Sequence, residues 1–580
     1  MRSARLVAAL ATSLALVSVA ACSDDDGGSP QPSPVIGVSV SAISSTAIRV
    51  TFSGRAGESY EIERAQGAGG AFALVHTIAT LAAAGTQTYD DADLSIQTAY
   101  RYRVTAVRGS QRSPGSAEAT TTTLAPGSFS ADITGDITAS RTLFADTVYT
   151  LKGFIHVTNG ATLTIQPGTR ILGDFATNGS SLFIMRGARI EAVGTSEFPI
   201  VFTSSRSAGS RQPGDWGGLI IVGNAPINRT GSIQLEGTGT QAGTASGTNY
   251  AVTYNGGTVA SDNSGTLRYV RVEFAGFAPF PNQELNSFTF AAVGSGTRAS
   301  FLQVLAGLDD SYEFFGGGFD LDHLVAYESG DDMFDMSEGF VGRLQYLIGM
   351  NSTVLLPSPN VQGGPASDPQ GIENDGCDAG AAGCTDGHNS VPLNVPLVAN
   401  FTLIGTGDVA TSGTSGGTGM MLRRGTGGFY VNGVVARFAR FGASIRDVAT
   451  FARAGAVATP DLATADLALR NVLFASVPTV FQPASATQFE FDLVGNSITA
   501  SAADAATLFA GLPAVGATPS VGSLDWTPTA GAAIATGGLT TFTGKIAAMA
   551  GTMVTGTSYR GAAEPGGAKW WQGWTVYSRN

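Results

Sequence analysis

Histidine and cysteine are nearly absent: the chain has four His and three Cys in 580 residues. Chemistry built on an imidazole base or a thiolate nucleophile has little to draw on, so acid or base work falls to carboxylates. Neither GxxxxGK followed by Ser or Thr nor HExxH occurs, which excludes the usual phosphate-cradling loop and the helix-borne zinc site. Only 13% of residues are charged, and the balance is acidic, at −13. That sign is unsuited to nucleic acid and suited to holding cations or staying soluble. Helix-period apolar patterns almost vanish, and beyond residue 22 no apolar run is long enough to span a bilayer.

What is present begins with MRSARLVAALATSLALVSVAAC. Arg2 and Arg5 precede an apolar run from Leu6 to Val19, the pattern of a cleaved signal segment over residues 1–21. Val19, Ala20 and Ala21 before Cys22 resemble the lipobox of bacterial lipoproteins. The resemblance implies lipidation of Cys22, and Ser23 after it implies sorting to the outer membrane. Three acyl chains anchor firmly where one is marginal. Loss of Arg2 and Arg5 with the leader takes the formal charge to −15. Residues 22–34, rich in Asp, Gly, Ser and Pro, read as a flexible tether.

Residues 35–125 alternate apolar and polar positions in short runs such as AIRVTFSG, SYEIERAQ and AYRYRVTAV, the pattern of a small antiparallel sandwich. Ile48, Val50 and Phe52, then Tyr60, Ile62 and Arg64, then Leu94, Thr98, Tyr100, Tyr102 and Val104 resemble a fibronectin type III domain. The resemblance implies a spacer or adhesion module with Tyr100 as its tyrosine corner.

After a linker at 126–142 the composition shifts. Gly rises and short β-branched strands recur near every 20 residues, as in GFIHVTNGATLTIQPGTRILGD, LRYVRVEFAG, FLQVLAGLDD, HLVAYESGDD and ANFTLIGTG. Such a period marks a solenoid of stacked coils. Residues 143–580, with LTIQPGTRI, IEAVGTSEFPIVFTSS, PGDWGGLIIVGNAPIN and SGTLRYVRVEFAG, resemble the right-handed parallel β-helix (pectin-lyase-like) superfamily, and more narrowly a group of bacterial surface lipoproteins. The expected fold class is therefore all-β: a small sandwich, then a long β-helix.

Within the stretch 307–339, Asp309, Asp310, Tyr312 and Glu313 recur 22 residues later as Asp331, Asp332, Phe334 and Asp335. On a β-helix this spacing sets Leu302 below Leu324 and Tyr346, Val304 below Ala326 and Ile348, and each acid above its counterpart. At ~5 Å, a like-charged pair costs roughly 1 kcal/mol in water and about 3 at an effective dielectric of 20. Three readings account for that cost. A hard cation such as Ca²⁺ sits between Asp309, Asp310, Glu313, Asp331, Asp332 and Asp335; two carboxylates form a hydrolytic pair; or the acids share a screened, solvated turn. GLDD and SGDD are similar to the Gly-x-Asp-Asp of polygalacturonases, but the nearby TDGHN departs from that family's Gly-His-Gly. Pectate lyases of this fold pair Ca²⁺ with an Arg base; the resemblance makes Arg343, one coil above Asp310 and Asp332, available for that role, and the competing reading of Arg343 is a structural charge partner.

Cys377 and Cys384 form a close pair, read as a disulfide; a zinc site would need more ligands than His388 alone. The pair would pin an insertion at 351–392 carrying Glu373, Asp375, Asp378, Asp386 and His388, a candidate ligand loop. Trp570, Trp571 and Trp574 form either a sugar-stacking platform or a cap over the last open coil. Asp215-Trp216-Gly217-Gly218 reads as a structural corner. The sequons at Asn228 and Asn351 carry no consequence in a bacterial lipoprotein.

These readings point to a lipid-anchored binding scaffold at the cell surface or the periplasmic face, cation-stabilised and contacting polysaccharide or partner proteins. The alternatives are a lyase or hydrolase of acidic glycans, and an adhesin.

Overall fold

The computed structural model describes residues 31–239, 251–281, 283–366, 369–407, 416–517 and 524–578. The expected leader, Cys22 and the first part of the tether lie outside the described residues. Contacts divide the chain into two compact units, with the break after Thr123. Among the described residues no helix is long and apolar enough to cross a membrane.

The first unit is antiparallel. One sheet orders Ser39–Ser44, Ala47–Gly54 and Gly85–Asp91; the other holds Ala73–Ile78, Ser59–Gln66, Ala99–Arg108, Gln111–Arg112 and Ala119–Thr122. Ile48, Val50 and Phe52 on one sheet and Tyr60, Ile62, Tyr102 and Val104 on the other form a single core, the product of strict alternation. The Tyr100 hydroxyl accepts the Ser95 amide at 2.9 Å, tying down the chain five residues upstream.

The second unit is a right-handed parallel β-helix, built from a 17-stranded and a 10-stranded sheet. Its first strand, Phe129–Ile133, already pairs in parallel with Thr147–Leu151, and its last, Thr499–Ser501, pairs with Leu473–Ala475. The coils thus span 129–501 rather than the expected 143–580. Inside, like side chains stack coil on coil. Phe288, Tyr312 and Phe334 lie 5.4 and 5.2 Å apart with nearly parallel rings. Leu302 pairs with Leu324, and Leu324 with Leu347. The expected partners Tyr346 and Ile348 are off by one, because the turn after Phe334–Ser337 is a residue longer and Asp320 meets Arg343.

The coils of the larger sheet share a left-handed residue at one register position. Tyr269, Phe301, His323, Tyr346, Asn400, Asn432 and Asn471 have φ between 49° and 64° and occupy one row. Positive φ at non-Gly residues costs on the order of 1 kcal/mol each. The row offsets this by stacking: Phe301 sits on Tyr269 at 4.5 Å and His323 on Phe301 at 4.3 Å.

The chain after the last coil runs back along this row. Asn471 donates to Gly537 O, Asn432 accepts the Leu539 amide, Asn400 donates to Gly561 O, and Arg271 donates to Trp574 O. Trp574 and Trp570 set their edges against Tyr269 and His323. Trp571 and Trp574 are buried. The tryptophans therefore neither cap the open end nor present a sugar platform; they seal the flank, because the aromatic half of the row leaves apolar surface beside coils that bond only to each other.

Candidate functional site: an acid-lined cleft

Where each long strand ends, the chain turns into the smaller sheet, and that turn carries the paired acids. Ser329 to Phe334 repeats the path of Gly307 to Tyr312, with the Gly330 amide on Gly307 O at 3.0 Å and the Ser311 amide on Asp332 O at 3.0 Å. Alternation then points Tyr312 and Phe334 inward and Glu313 and Asp335, which pair directly, outward. The next strand, Gln370–Asp375, sets Glu373 beside Asp335.

The expected ladder is thus three coils deep. Glu373 and Asp375 belong to a strand and not to a loop, which overturns their assignment to the insertion. That strand is separated from the preceding one, which ends at Met350, by the 19 residues 351–369 rather than the usual few, so the period that revealed the first two rungs hides the third.

Among the described residues, six carboxylates, Asp309, Asp310, Glu313, Asp331, Asp332 and Asp335, line a cleft of about 460 Å³, joined by Glu236, Glu284 and Glu373 and by one cation, Arg423. No spacing in the sequence announces Glu236 and Glu284; only the fold brings them in. In three groups the carboxylate oxygens lie within 4.8 Å of one another: Asp309 with Asp310 and Asp331; Asp310 with Glu313 and Asp335; Asp332 with Asp335 and Glu373.

Hydrogen bonds orient several of these groups. Asp310 Oδ1 accepts the Asp332 amide at 2.8 Å, Asp332 Oδ1 accepts the Gln370 amide, and Glu313 accepts from Asn286. Asp335 Oδ1 is enclosed and has no hydrogen-bond partner among the described residues. Such an oxygen suits a cation, since an unpaired buried acceptor is costly.

Burial pushes the carboxyls of Asp309, Asp310, Glu313, Asp332, Asp335 and Glu373 well above the usual range, and neighbouring carboxylates add to the rise. Glu236 is raised to about 7 by burial and by Glu284. Asp310, Glu313, Asp332 and Glu373 are buried, whereas Asp309, Asp331 and Asp335 keep part of their surface open to the cleft.

Arg343 is not at the cleft. It clasps Asp320 through Nε at 2.7 Å and reaches the Met549 and Ala550 carbonyls. The cation that faces the acids is Arg423, which binds Glu373 and Asp375. Burial lowers the pKa of Arg423, but the Asp375 and Glu373 carboxylates outweigh that and hold the guanidinium charged.

Cys377 and Cys384 are disulfide-bonded. Their loop lies against Asn228 to Thr230: Arg229 Nε donates to Ala382 O, and the Thr230 amide to Gly383 O. His388 Nδ1 lies 3.1 Å from Cys377 O. Asp375 and Asp378 line an adjoining recess of about 320 Å³, whereas Asp386 and His388 reach neither recess nor cleft. Asp215 pairs with Arg206 at 3.1 Å and Trp216 is fully buried, donating to Glu273 O; these residues hold a corner.

The coils and the outward acids on their turns define a β-helix with a lateral cleft. The chain belongs to the family of pectate-lyase-like β-helix domains, whose model matches residues 135–515. Among solved structures it is similar to a pectate lyase from Pectobacterium carotovorum, at 10% identity over 80% of this chain and 97% of that one, TM-score 0.16. A thermostable α-1,3-glucanase catalytic unit from Streptomyces thermodiastaticus shares 10% identity over 78% of this chain and 89% of its own, TM-score 0.23. The chicken CNTN1 FN1–FN3 domains match at 21% identity over 16% of this chain, TM-score 0.14, so the chain spans about a third (31%) of that structure. No curated protein matches the chain.

Proposed function

We propose that the protein is a lipid-anchored surface or periplasmic scaffold whose acid-lined cleft takes up Ca²⁺ and, so loaded, contacts an extended acidic ligand such as a polysaccharide. One observation carries the reading: among the described residues, nine carboxylates face one guanidinium in one cleft. Left empty, that arrangement is strongly repulsive; with a hard cation it offers many oxygens at coordinating distance. A bound cation also turns the cleft from one that repels an anionic chain into one that bridges to it.

Thermal unfolding of the chain in EDTA and in roughly 1 mM Ca²⁺ tests this, since at ~100-fold excess over Kd a bound ion adds about 2.7 kcal/mol. The midpoint rises in wild type and not in Asp309→Asn/Asp331→Asn. An unshifted wild type would sink the cation reading. The anchor has its own test: Cys22→Ser moves the protein from the membrane fraction to the soluble one.

Hydrolysis of an acidic glycan by Asp310 and Asp332 is the second reading, favoured by the burial and neighbouring carboxylates that raise both carboxyls, the direction a general acid requires. It predicts turnover of polygalacturonate in EDTA, abolished by Asp332→Asn. A lyase is disfavoured, because Arg423 is held charged and is a poor base.

A further inference from the structure

The three groups of acids are not independent. The first and second share Asp310, the second and third share Asp335, and the first and third share no residue. An ion in the middle group would have to borrow a carboxylate from each neighbour. Ions in the two outer groups need borrow nothing.

Charge balance favours more than one ion. Among the described residues, nine carboxylates against one guanidinium leave an excess of eight negative charges when all are ionised, and one divalent cation leaves six of them. The hydrogen bonds point the same way. Asp310 spends Oδ1 on the Asp332 amide and Asp332 spends Oδ1 on the Gln370 amide, so one carboxylate of each outer group is fixed by the coil above. Asp335 Oδ1, enclosed and without a hydrogen-bond partner among the described residues, belongs to the second and third groups and not to the first. It marks a ligand position separate from the Asp309–Asp331 pair.

Resting on the cation reading above, we propose that the cleft holds two divalent cations per chain. One sits among Asp309, Asp310 and Asp331, the other among Asp332, Asp335 and Glu373. Glu313, close to both Asp310 and Asp335, is the charge left to offset repulsion between the ions. Arg423 already occupies one oxygen of Glu373, so an ion at the second site competes with a guanidinium and binds more weakly.

Equilibrium dialysis of the full chain against Ca²⁺, followed by metal analysis, counts the ions. Wild type retains two per chain. Asp309→Asn and Glu373→Gln each retain one, and the double variant none. One ion in wild type, three in wild type, or the loss of both ions from either single variant would overturn the two-site arrangement. No ion at all in wild type would instead overturn the cation reading on which it rests. A second measurement needs no variant: wild type loaded with equal Tb³⁺ and Eu³⁺ shows Tb-to-Eu energy transfer within one chain at high dilution. Its absence, with both lanthanides bound, would likewise sink the two-ion arrangement.

Discussion

The Asp332 amide donates to Asp310 Oδ1 at 2.8 Å, so the carboxylate of one coil closes the turn of the next. The residue therefore has two tasks, one structural and one electrostatic. An amide side chain can still accept that hydrogen bond through its oxygen but brings no charge. Asp310→Asn should consequently be more stable than wild type in EDTA, by about 1–3 kcal/mol, the size of one like-charged neighbour at this separation. In Ca²⁺ the order reverses. Chemical denaturation under both conditions checks it; a variant less stable in EDTA would show that the charge repulsion is not felt.

The raised carboxyls make a further prediction about pH. A group held protonated in the fold contributes stability that is present below its unfolded value, near 4, and is lost as pH rises through its folded value. For Glu236 that loss extends to about 7. In EDTA the unfolding midpoint should therefore fall between about pH 5 and pH 8, and Ca²⁺ should flatten the fall. A midpoint rising over that range in EDTA would contradict the burial of these groups.

Arg343 separates structure from chemistry. Its guanidinium joins Asp320 to the carbonyls of Met549 and Ala550, which belong to the helix Gly544–Ala550. Both partners are partly exposed, so Arg343→Ala should cost only about 1 kcal/mol. Limited proteolysis should then cut first near residue 550, while Ca²⁺ binding is unchanged. A large loss of cation affinity would restore Arg343 to the site.

The tryptophans on the flank differ in burial. Trp571 belongs to the buried cluster that includes Tyr327, Ile348 and Ala563 and is almost wholly enclosed, whereas Trp570 is partly exposed. Trp571→Ala should cost about 3–5 kcal/mol, and Trp570→Ala clearly less. Equal effects on thermal stability would mean that the flank is not sealed in the way the ring contacts describe.

Much of this architecture was written in short-range pattern. Alternation in AIRVTFSG and AYRYRVTAV marks a sandwich because a half-buried strand has period two, and the 22-residue recurrence of Asp309 and Asp310 marks two stacked coils because a parallel coil repeats its own path. Both signals are local, so a single chain displays them. The disulfide also followed from the sequence, since two cysteines seven positions apart had no competing ligands.

Other features were decided only by tertiary structure. Glu373 joins the ladder across a long connection, and Glu236 and Glu284 arrive from segments with no periodic relation to it. One additional residue in a turn moved Leu347 and Gly349 into the places expected for Tyr346 and Ile348. Arg343 and Arg423 look alike in sequence, yet one faces Asp320 and the other the cleft, because each lies on a different sheet. The path of the last residues along the row of left-handed corners was equally hidden. Periodicity shows which side of a strand faces inward; what covers the outward side depends on where distant segments return.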